Sequence, residues 1–299
     1  MIIVISNRKI NEGATDETLF GETPNEKGLD ELRIAKANYD TTQNRWTLNL
    51  LAESSDDLDE TNLPSQQLFT EIIQGVKTKK YQLNWVFYIH GFNQSFLESL
   101  EASRDIAQRY NVDVIVFSWP SNPGGIVPQE YQRARQAAKA SANALDRTFE
   151  KIGNYVTNRT LAEMQGCEIS VNLLIHSLGN FLVENYIREP IFSGETRIFD
   201  NVIFHQADVD SKTHTQWIDK VLVSHNIYVT INERDSILKA SDIINPDRLG
   251  TTLTGLTAQR PIYVDFTQGD NVGRAHNLFL EVPNNNTIQE FFQRVFTGQ

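Results

Sequence analysis

Short apolar runs alternate with amphipathic segments along most of the chain. Six runs, rich in Val, Ile and Phe, have the length and composition of strands that are buried on both faces. They occupy residues 85–89, 112–117, 171–175, 202–204, 227–231 and 262–266. Between them, apolar residues recur at helical spacing. That spacing predicts helices at residues 64–76, 95–109, 129–151, 178–188, 210–222 and 287–296.

This alternation of strands and helices predicts a mostly parallel sheet with helices on both faces. Residues 1–5 form a further apolar run, and residues 45–50 alternate like a half-buried strand. No helical pattern separates these two strands, so we expect them to pair antiparallel at one edge of the sheet. The prediction is an α/β fold of about eight strands.

Domain organisation follows from the same pattern. The chain has 299 residues and no repeat or interdomain linker, so we expect a single domain over residues 1–299. Within it, residues 1–83 would supply the edge strands and a polar excursion, and residues 84–299 the catalytic core.

Composition and charge exclude several classes of protein. The net charge of −11 would repel nucleic acid. The sequence contains no run of 18 apolar residues, which is about the length needed to span a membrane. Cys167 is the single cysteine, so no intramolecular disulfide can form. The N-terminal run turns polar too soon for a signal peptide, and we therefore expect a cytoplasmic protein.

Polar residues stand just beyond the strand ends, and the ends of parallel strands share one edge of the sheet. Among them are a serine, an acid and a histidine in that chain order: Ser177, Asp235 and His276. A serine hydroxyl is a weak nucleophile, so a histidine must accept its proton, and a carboxylate must orient that histidine. The order is the one used by α/β-hydrolases.

The motifs resemble those of the α/β-hydrolase superfamily over most of the chain from about residue 84. The similarity is closest to a bacterial group of esterase- or lipase-like hydrolases of unknown function. It is carried by YIHGFNQSF (88–96), VIVFSWPS (114–121), IHSLGN (175–180), ADVD (207–210) and the loop of His276. The resemblance implies an α/β-hydrolase fold.

The resemblance also implies roles for particular residues. Ser177 corresponds to the nucleophile, His276 to the base and Asp235 to the acid. The backbone N–H groups of Phe92 and Leu178 correspond to the oxyanion hole. The chain departs from the usual Gly-x-Ser-x-Gly turn, because Ile175 replaces the first glycine. We expect the turn to form nonetheless.

Several alternatives remain open. Asp208 follows the preceding strand and is the alternative acid, and Asp235 is also suited to cap the helix that follows it. Trp119 is either a wall of the substrate pocket or a packing residue. The candidate lids are loops 121–128 and 243–260, which are polar and Gly-containing.

The predicted function is hydrolysis of a carboxylic ester, or less readily a thioester or amide, through an acyl-enzyme on Ser177. The expected partner is a small-molecule acyl substrate, and no metal or organic cofactor is expected. One alternative is an acyltransferase with the same triad. Another is a catalytically silent hydrolase fold that serves as a binding module. The sequence makes no prediction about oligomeric state.

Overall fold

A computed structural model describes residues 1–53, 63–122, 127–158, 168–188, 197–242 and 245–298. Cys167 lies outside these residues, as do parts of both candidate lids, residues 123–126 and 243–244.

Eleven strands are present in the described part of the chain. They are β1 (Ile2–Ser6), β2 (Arg8–Ile10), β3 (Phe20–Pro24), β4 (Arg33–Asp40), β5 (Arg45–Leu50), β6 (Asn84–Ile89), β7 (Asp113–Ser118), β8 (Ser170–His176), β9 (Phe199–His205), β10 (Ser224–Ile231) and β11 (Pro261–Asp265). Nine of them form one sheet in the order β11-β10-β9-β8-β6-β7-β1-β4-β5, and β2 pairs with β3 separately.

Within the same described residues, eight α-helices accompany these strands. They are α1 (Pro64–Lys77), α2 (Phe96–Tyr110), α3 (Val127–Ala140), α4 (Ala142–Thr157), α5 (Gly179–Arg188), α6 (Ser236–Asp242), α7 (Leu278–Glu281) and α8 (Asn286–Thr297). One apolar core joins the sheet to α1, α3, α4 and α5, and a second core on the other face joins it to α2, α7 and α8. The fold class is thus confirmed: a mostly parallel sheet is covered by helices on both faces.

The antiparallel edge is present, but its composition differs from the prediction. Strand β1 runs parallel to β7 and antiparallel to β4, and β4 in turn pairs antiparallel with β5. The prediction that residues 1–5 pair directly with residues 45–50 is therefore wrong. The sheet has nine strands because β4 joins it. The core-facing residues of β4 are Ala35 and Ala37, which are too small to produce a strong hydrophobic signal.

Two predicted helices also differ. The predicted helix at 129–151 is two helices, α3 and α4, separated at Ser141. The Ser141 side chain is buried and accepts a hydrogen bond from Asn7 Nδ2 at 2.9 Å. The segment predicted as a helix at 210–222 contains two short 3₁₀ turns instead, His214–Gln216 and Ile218–Lys220.

Candidate active site

The turn after β8 places Ser177 at the carboxyl edge of the sheet, immediately before α5. Ser177 has φ = +53°, in the left-handed region that side chains other than glycine rarely adopt. Such strain persists only where neighbouring groups hold it. Here the Ser177 N–H donates to the His205 carbonyl at 3.1 Å, and the Ser177 carbonyl accepts from the Asp208 N–H at 3.2 Å. The turn is thus bound to the end of β9.

The side chain of Asn180 also holds this turn. Its Nδ2 lies 2.9 Å from the Ser177 carbonyl, 3.2 Å from the Ile175 carbonyl and 3.3 Å from the His205 carbonyl. The turn forms even though a large residue replaces the usual glycine, and the side chain of that residue, Ile175, is fully buried. Asn180 belongs to the IHSLGN motif, but sequence reasoning gave it no role.

Gly179 lets the start of α5 lie against the end of β6. A methyl group added there would lie 2.7 Å from the His90 carbonyl oxygen and 3.0 Å from the Ile89 carbonyl oxygen. Both contacts are with backbone, which cannot move aside easily. A residue without a side chain is therefore required at this position.

The loop after β6 lies directly against the candidate nucleophile. A methyl group added to Gly91 would come within 2.7 Å of Ser177 Cβ and 3.2 Å of Ser177 Oγ. In the described part of the chain, neither the Phe92 N–H nor the Leu178 N–H donates a hydrogen bond to a protein group. Unpartnered N–H groups on both sides of a serine can bind an oxyanion.

His90 and Trp119 form the support beneath this loop. Trp119 is fully buried, stacks on the His90 ring at 5.5 Å between centroids, and donates from Nε1 to the His90 carbonyl at 2.9 Å. His90 Nε2 accepts from the Trp119 N–H at 3.2 Å, so the neutral ring carries its proton on Nδ1 and donates to the Gly91 carbonyl. Burial lowers the pKa of His90 to about 3, with the Arg8 charge as a second cause. This geometry favours the packing role for Trp119, since its side chain has no exposed surface to offer a substrate.

Asp235 and His276 come together at the ends of β10 and β11. His276 Nδ1 lies 2.6 Å from Asp235 Oδ2. The other carboxylate oxygen of Asp235 accepts from the N–H groups of Ile237 and Leu238 at 2.9 and 3.1 Å. Asp235 therefore makes both contacts at once, because one oxygen caps α6 and the other binds His276.

Gln206 is a third partner of this carboxylate. Its Nε2 donates to Asp235 Oδ2 at 2.9 Å, and its backbone has φ = +42°. A strained residue at a strand end often marks a functional site. In the sequence, the only signal for Gln206 is its position directly after the apolar run of β9, and sequence reasoning gave it no role.

Three histidine rings lie next to one another beside Ser177. The His176 ring is 4.7 Å from the His276 ring and 5.5 Å from the His205 ring, between centroids. Burial lowers the pKa of His176 and of His205 well below the usual value, and the neighbouring His276 adds to this effect. His205 Nε2 accepts from the Leu278 N–H at 3.2 Å, which ties the His276 loop to β9.

Asn232 provides a second attachment for the same loop. Its Nδ2 donates to the carbonyl groups of Ala275 and Gly273, at 2.9 and 3.3 Å. Its Oδ1 accepts from the Arg234 N–H at 3.1 Å. The turn that carries Asp235 is thereby joined to the loop that carries His276.

The alternative acid, Asp208, is engaged elsewhere. Its carboxylate accepts from Tyr131 at 2.8 Å and from Ser241 at 2.9 Å, and it lies 3.8 Å from the buried guanidinium of Arg248. Burial, followed by the Asp208 charge, raises the pKa of Tyr131 to about 12. The structure thus brings Asp235, and not Asp208, to His276.

Two further properties of the described residues bear on function. In the ranges given above, no group of three or more His, Cys, Asp or Glu residues is arranged to hold a metal ion. Within the same ranges, no helix is long and apolar enough to cross a membrane.

Comparison with known proteins adds the family. A family model described as alpha/beta hydrolase of unknown function (DUF900) matches residues 65–261, about two thirds of the chain. No curated protein and no solved structure matches the chain. The matched segment includes Ser177 and Asp235, whereas His276 lies beyond it. The chain belongs to this family of α/β hydrolases of unknown function.

Proposed function

We propose that the protein is a serine hydrolase that cleaves a carboxylic ester through an acyl-enzyme on Ser177. Thioesters and amides are the next candidates by the same chemistry. One observation carries the proposal. The Asp235–His276 pair, at 2.6 Å, lies beside a strained serine turn that is flanked by two unpartnered N–H groups. A nucleophile, a base with its orienting acid, and an oxyanion site are the parts that acyl transfer needs.

Acylation begins when His276 Nε2 takes the proton of the Ser177 hydroxyl. In the described part of the chain, Nε2 has no hydrogen-bond partner, so it is free to accept. The Ser177 oxygen forms a bond to the carbonyl carbon, and the π electrons of the carbonyl move onto its oxygen. The N–H groups of Phe92 and Leu178 bind that oxyanion. Asp235 stabilises the imidazolium through Nδ1.

The intermediate collapses when the oxyanion re-forms the carbonyl and the bond to the leaving alkoxide breaks. His276 gives its proton to that alkoxide, which leaves as an alcohol. A water molecule then loses a proton to His276 and attacks the acyl-enzyme. The second intermediate collapses in the same way, and protonated His276 returns the proton to Ser177 as the carboxylic acid leaves.

The first test is covalent labelling by a fluorophosphonate probe, which reacts with activated serines. We expect the wild-type protein to be labelled and Ser177→Ala not to be labelled. Ser103→Ala is the matched control. Ser103 is also buried, but among the described residues its hydroxyl bonds only to the Ser99 carbonyl of its own helix, at 2.7 Å. Labelling that persists in Ser177→Ala would contradict the proposal.

The second test measures turnover of p-nitrophenyl esters of increasing acyl length, with and without an added alcohol or amine acceptor. Release of nitrophenol and free carboxylic acid, lost in Ser177→Ala, is the expected result. Accumulation of acylated acceptor in place of the free acid would indicate an acyltransferase. If the wild-type protein is neither labelled nor able to turn over the esters, it is a silent binding module.

A further inference from the structure

An ion pair between Arg8 and Glu22, near the N-terminus, contacts the loop that carries the Phe92 N–H. Arg8 is fully buried, and its Nη1 lies 2.7 Å from Glu22 Oε2. Strand β2 carries Arg8 and strand β3 carries Glu22, so this pair of strands supplies both partners. Sequence reasoning gave no purpose to residues 11–80, which include Glu22.

The guanidinium of Arg8 bonds to two elements at the active edge. Its Nη2 donates to the Gln94 carbonyl at 2.8 Å, and its Nε donates to Ser118 Oγ at 3.0 Å. Gln94 is two residues beyond Phe92, and Ser118 ends β7. Arg8 therefore bridges the strand end and the loop that follows β6.

Glu22 holds the other end of the same loop. Its Oε1 accepts from the Phe96 N–H at 3.0 Å, and Phe96 is the first residue of α2. The carboxylate thus occupies the helix N-terminus, where a negative charge is favoured. The ion pair contacts the loop at Gln94 and at Phe96, just downstream of Phe92.

Ser121, which follows β7, makes a third set of contacts with the loop. Ser121 Oγ accepts from the Gln94 N–H at 3.2 Å, and the Ser121 carbonyl accepts from the Asn93 N–H at 3.0 Å. The loop also has little freedom at Gly91, where it touches Ser177. A small shift of this loop would therefore change the distance from the Phe92 N–H to the reacting carbonyl oxygen.

We propose that Arg8, held by Glu22, is a positioning residue that fixes the Phe92 N–H in the oxyanion hole. This inference rests on the proposed function. Arg8 touches neither the substrate nor Ser177 and acts through the Gln94 carbonyl. Because oxyanion donors act mainly in the transition state, their misplacement lowers kcat and affects KM little.

The experiment compares Arg8→Lys and Glu22→Gln with the wild-type protein on p-nitrophenyl butyrate. Lysine is a point charge that cannot reproduce the three-way contact of the guanidinium. Glutamine keeps the shape of Glu22 but removes the carboxylate that pairs with the buried cation. We expect kcat to fall at least about tenfold in both variants, with KM within about twofold, since loss of a whole donor costs about 10²–10³.

A second readout separates positioning from general destabilisation. A trifluoromethyl ketone binds serine hydrolases as a tetrahedral oxyanion adduct, so its affinity reports the oxyanion hole directly. That affinity should fall by the same factor as kcat. Lys9→Ala is the control, because Lys9 is an exposed neighbour of Arg8 that pairs with Glu26 at 2.8 Å. It should leave kcat, KM and inhibitor affinity unchanged.

The possible outcomes separate the two proposals. If the wild-type protein is labelled and folded Glu22→Gln keeps wild-type kcat and inhibitor affinity, the positioning role is overturned and the proposed function stands. A rise in KM at constant kcat would also overturn it. If Arg8→Lys does not fold, Glu22→Gln decides, because Glu22 is partly exposed. If the wild-type protein shows neither labelling nor turnover, both proposals fail.

Discussion

Asp235 combines a structural and a chemical contact in one carboxylate. Its Oδ1 caps α6, and its Oδ2 binds His276 and Gln206. Removing the side chain would therefore disturb the fold and the site together. Asparagine is a suitable substitute for separating the two, because it caps helices as well as aspartate does but cannot stabilise an imidazolium.

We predict that Asp235→Asn lowers kcat about 10⁴-fold, as expected when the orienting acid of a triad is lost, while the melting temperature changes little. We expect the opposite pattern for Asp208→Asn, in which stability is affected and turnover is not. Its carboxylate serves Tyr131, Ser241 and the buried Arg248, so stability should fall while turnover by the folded protein stays near wild type. Ester turnover and thermal unfolding of both variants check this. Loss of turnover in folded Asp208→Asn alone would reverse the assignment.

Individual residues of the site were predictable where local chemistry and a chain-order rule coincide. Ser177 follows a strand and precedes a glycine, and Asp235 and His276 each follow a later strand. Gln206 and Arg8 were not predictable in this way. Their contacts join residues 29 and 86 positions apart, and nothing in their own neighbourhood specifies a partner.

At the scale of elements, the site depends on how closely α5 approaches β6. Gly179 makes this approach possible, since its Cα faces the His90 and Ile89 carbonyl groups. The buried Ile175 shows that bulk is tolerated in the strand before the serine, where the side chain joins the apolar core. The helix after the serine has no such space.

We predict that Gly179→Ala destabilises the protein by about 1–3 kcal/mol, the usual cost of forcing a methyl group into a packed site. Urea unfolding measures this. Gly21→Ala is the control, because a methyl group there meets nothing closer than 3.7 Å. Equal free energies of unfolding for Gly179→Ala and the wild-type protein would mean that α5 can move away from β6 without cost.

Strands with a strong apolar run were predicted closely, whereas elements without one were missed. Strand β6 was predicted at 85–89 and occupies Asn84–Ile89. Strand β4 was missed because its core-facing residues are alanines, and β3 because it lies in a polar segment. The break between α3 and α4 lies at Ser141, which accepts a hydrogen bond from the distant Asn7, and periodicity cannot indicate such a contact.

At the scale of the whole molecule, N-terminal strands β1, β4 and β5 belong to the same sheet as the strands of the site. That residues 1–299 form a single domain stays a prediction. The core near the site also holds three buried histidines whose pKa is lowered: His90, His176 and His205. Each is neutral when the chain is folded.

These histidines predict a loss of stability in mild acid. In the unfolded chain a histidine binds a proton below a pH of about 6.5, whereas His90 when folded does so only near pH 3. The stability from each neutral ring is thus present above pH 6.5 and is lost progressively as the pH falls below that value. Glu184 acts in the opposite direction, since burial raises its pKa.

Urea unfolding at pH 7.5, 6.5 and 5.5 checks this prediction. The free energy of unfolding should decline below pH 6.5. Its decline with pH should be less steep in His90→Gln, because one fewer ring takes up a proton on unfolding. A free energy that stays constant over this range would contradict it.

The position of β1 also has a consequence for synthesis of the chain. Strand β1 lies inside the sheet, and its parallel partner β7 is 112 residues away, with Ile2 opposite Val114. A ribosome adds about 5–20 residues per second, so the first strand must wait on the order of 10 s for this partner. During that interval the sheet partner of β1 that has already been synthesised is β4, which pairs with it antiparallel. We therefore expect the antiparallel edge to form before the turn of Ser177 during synthesis.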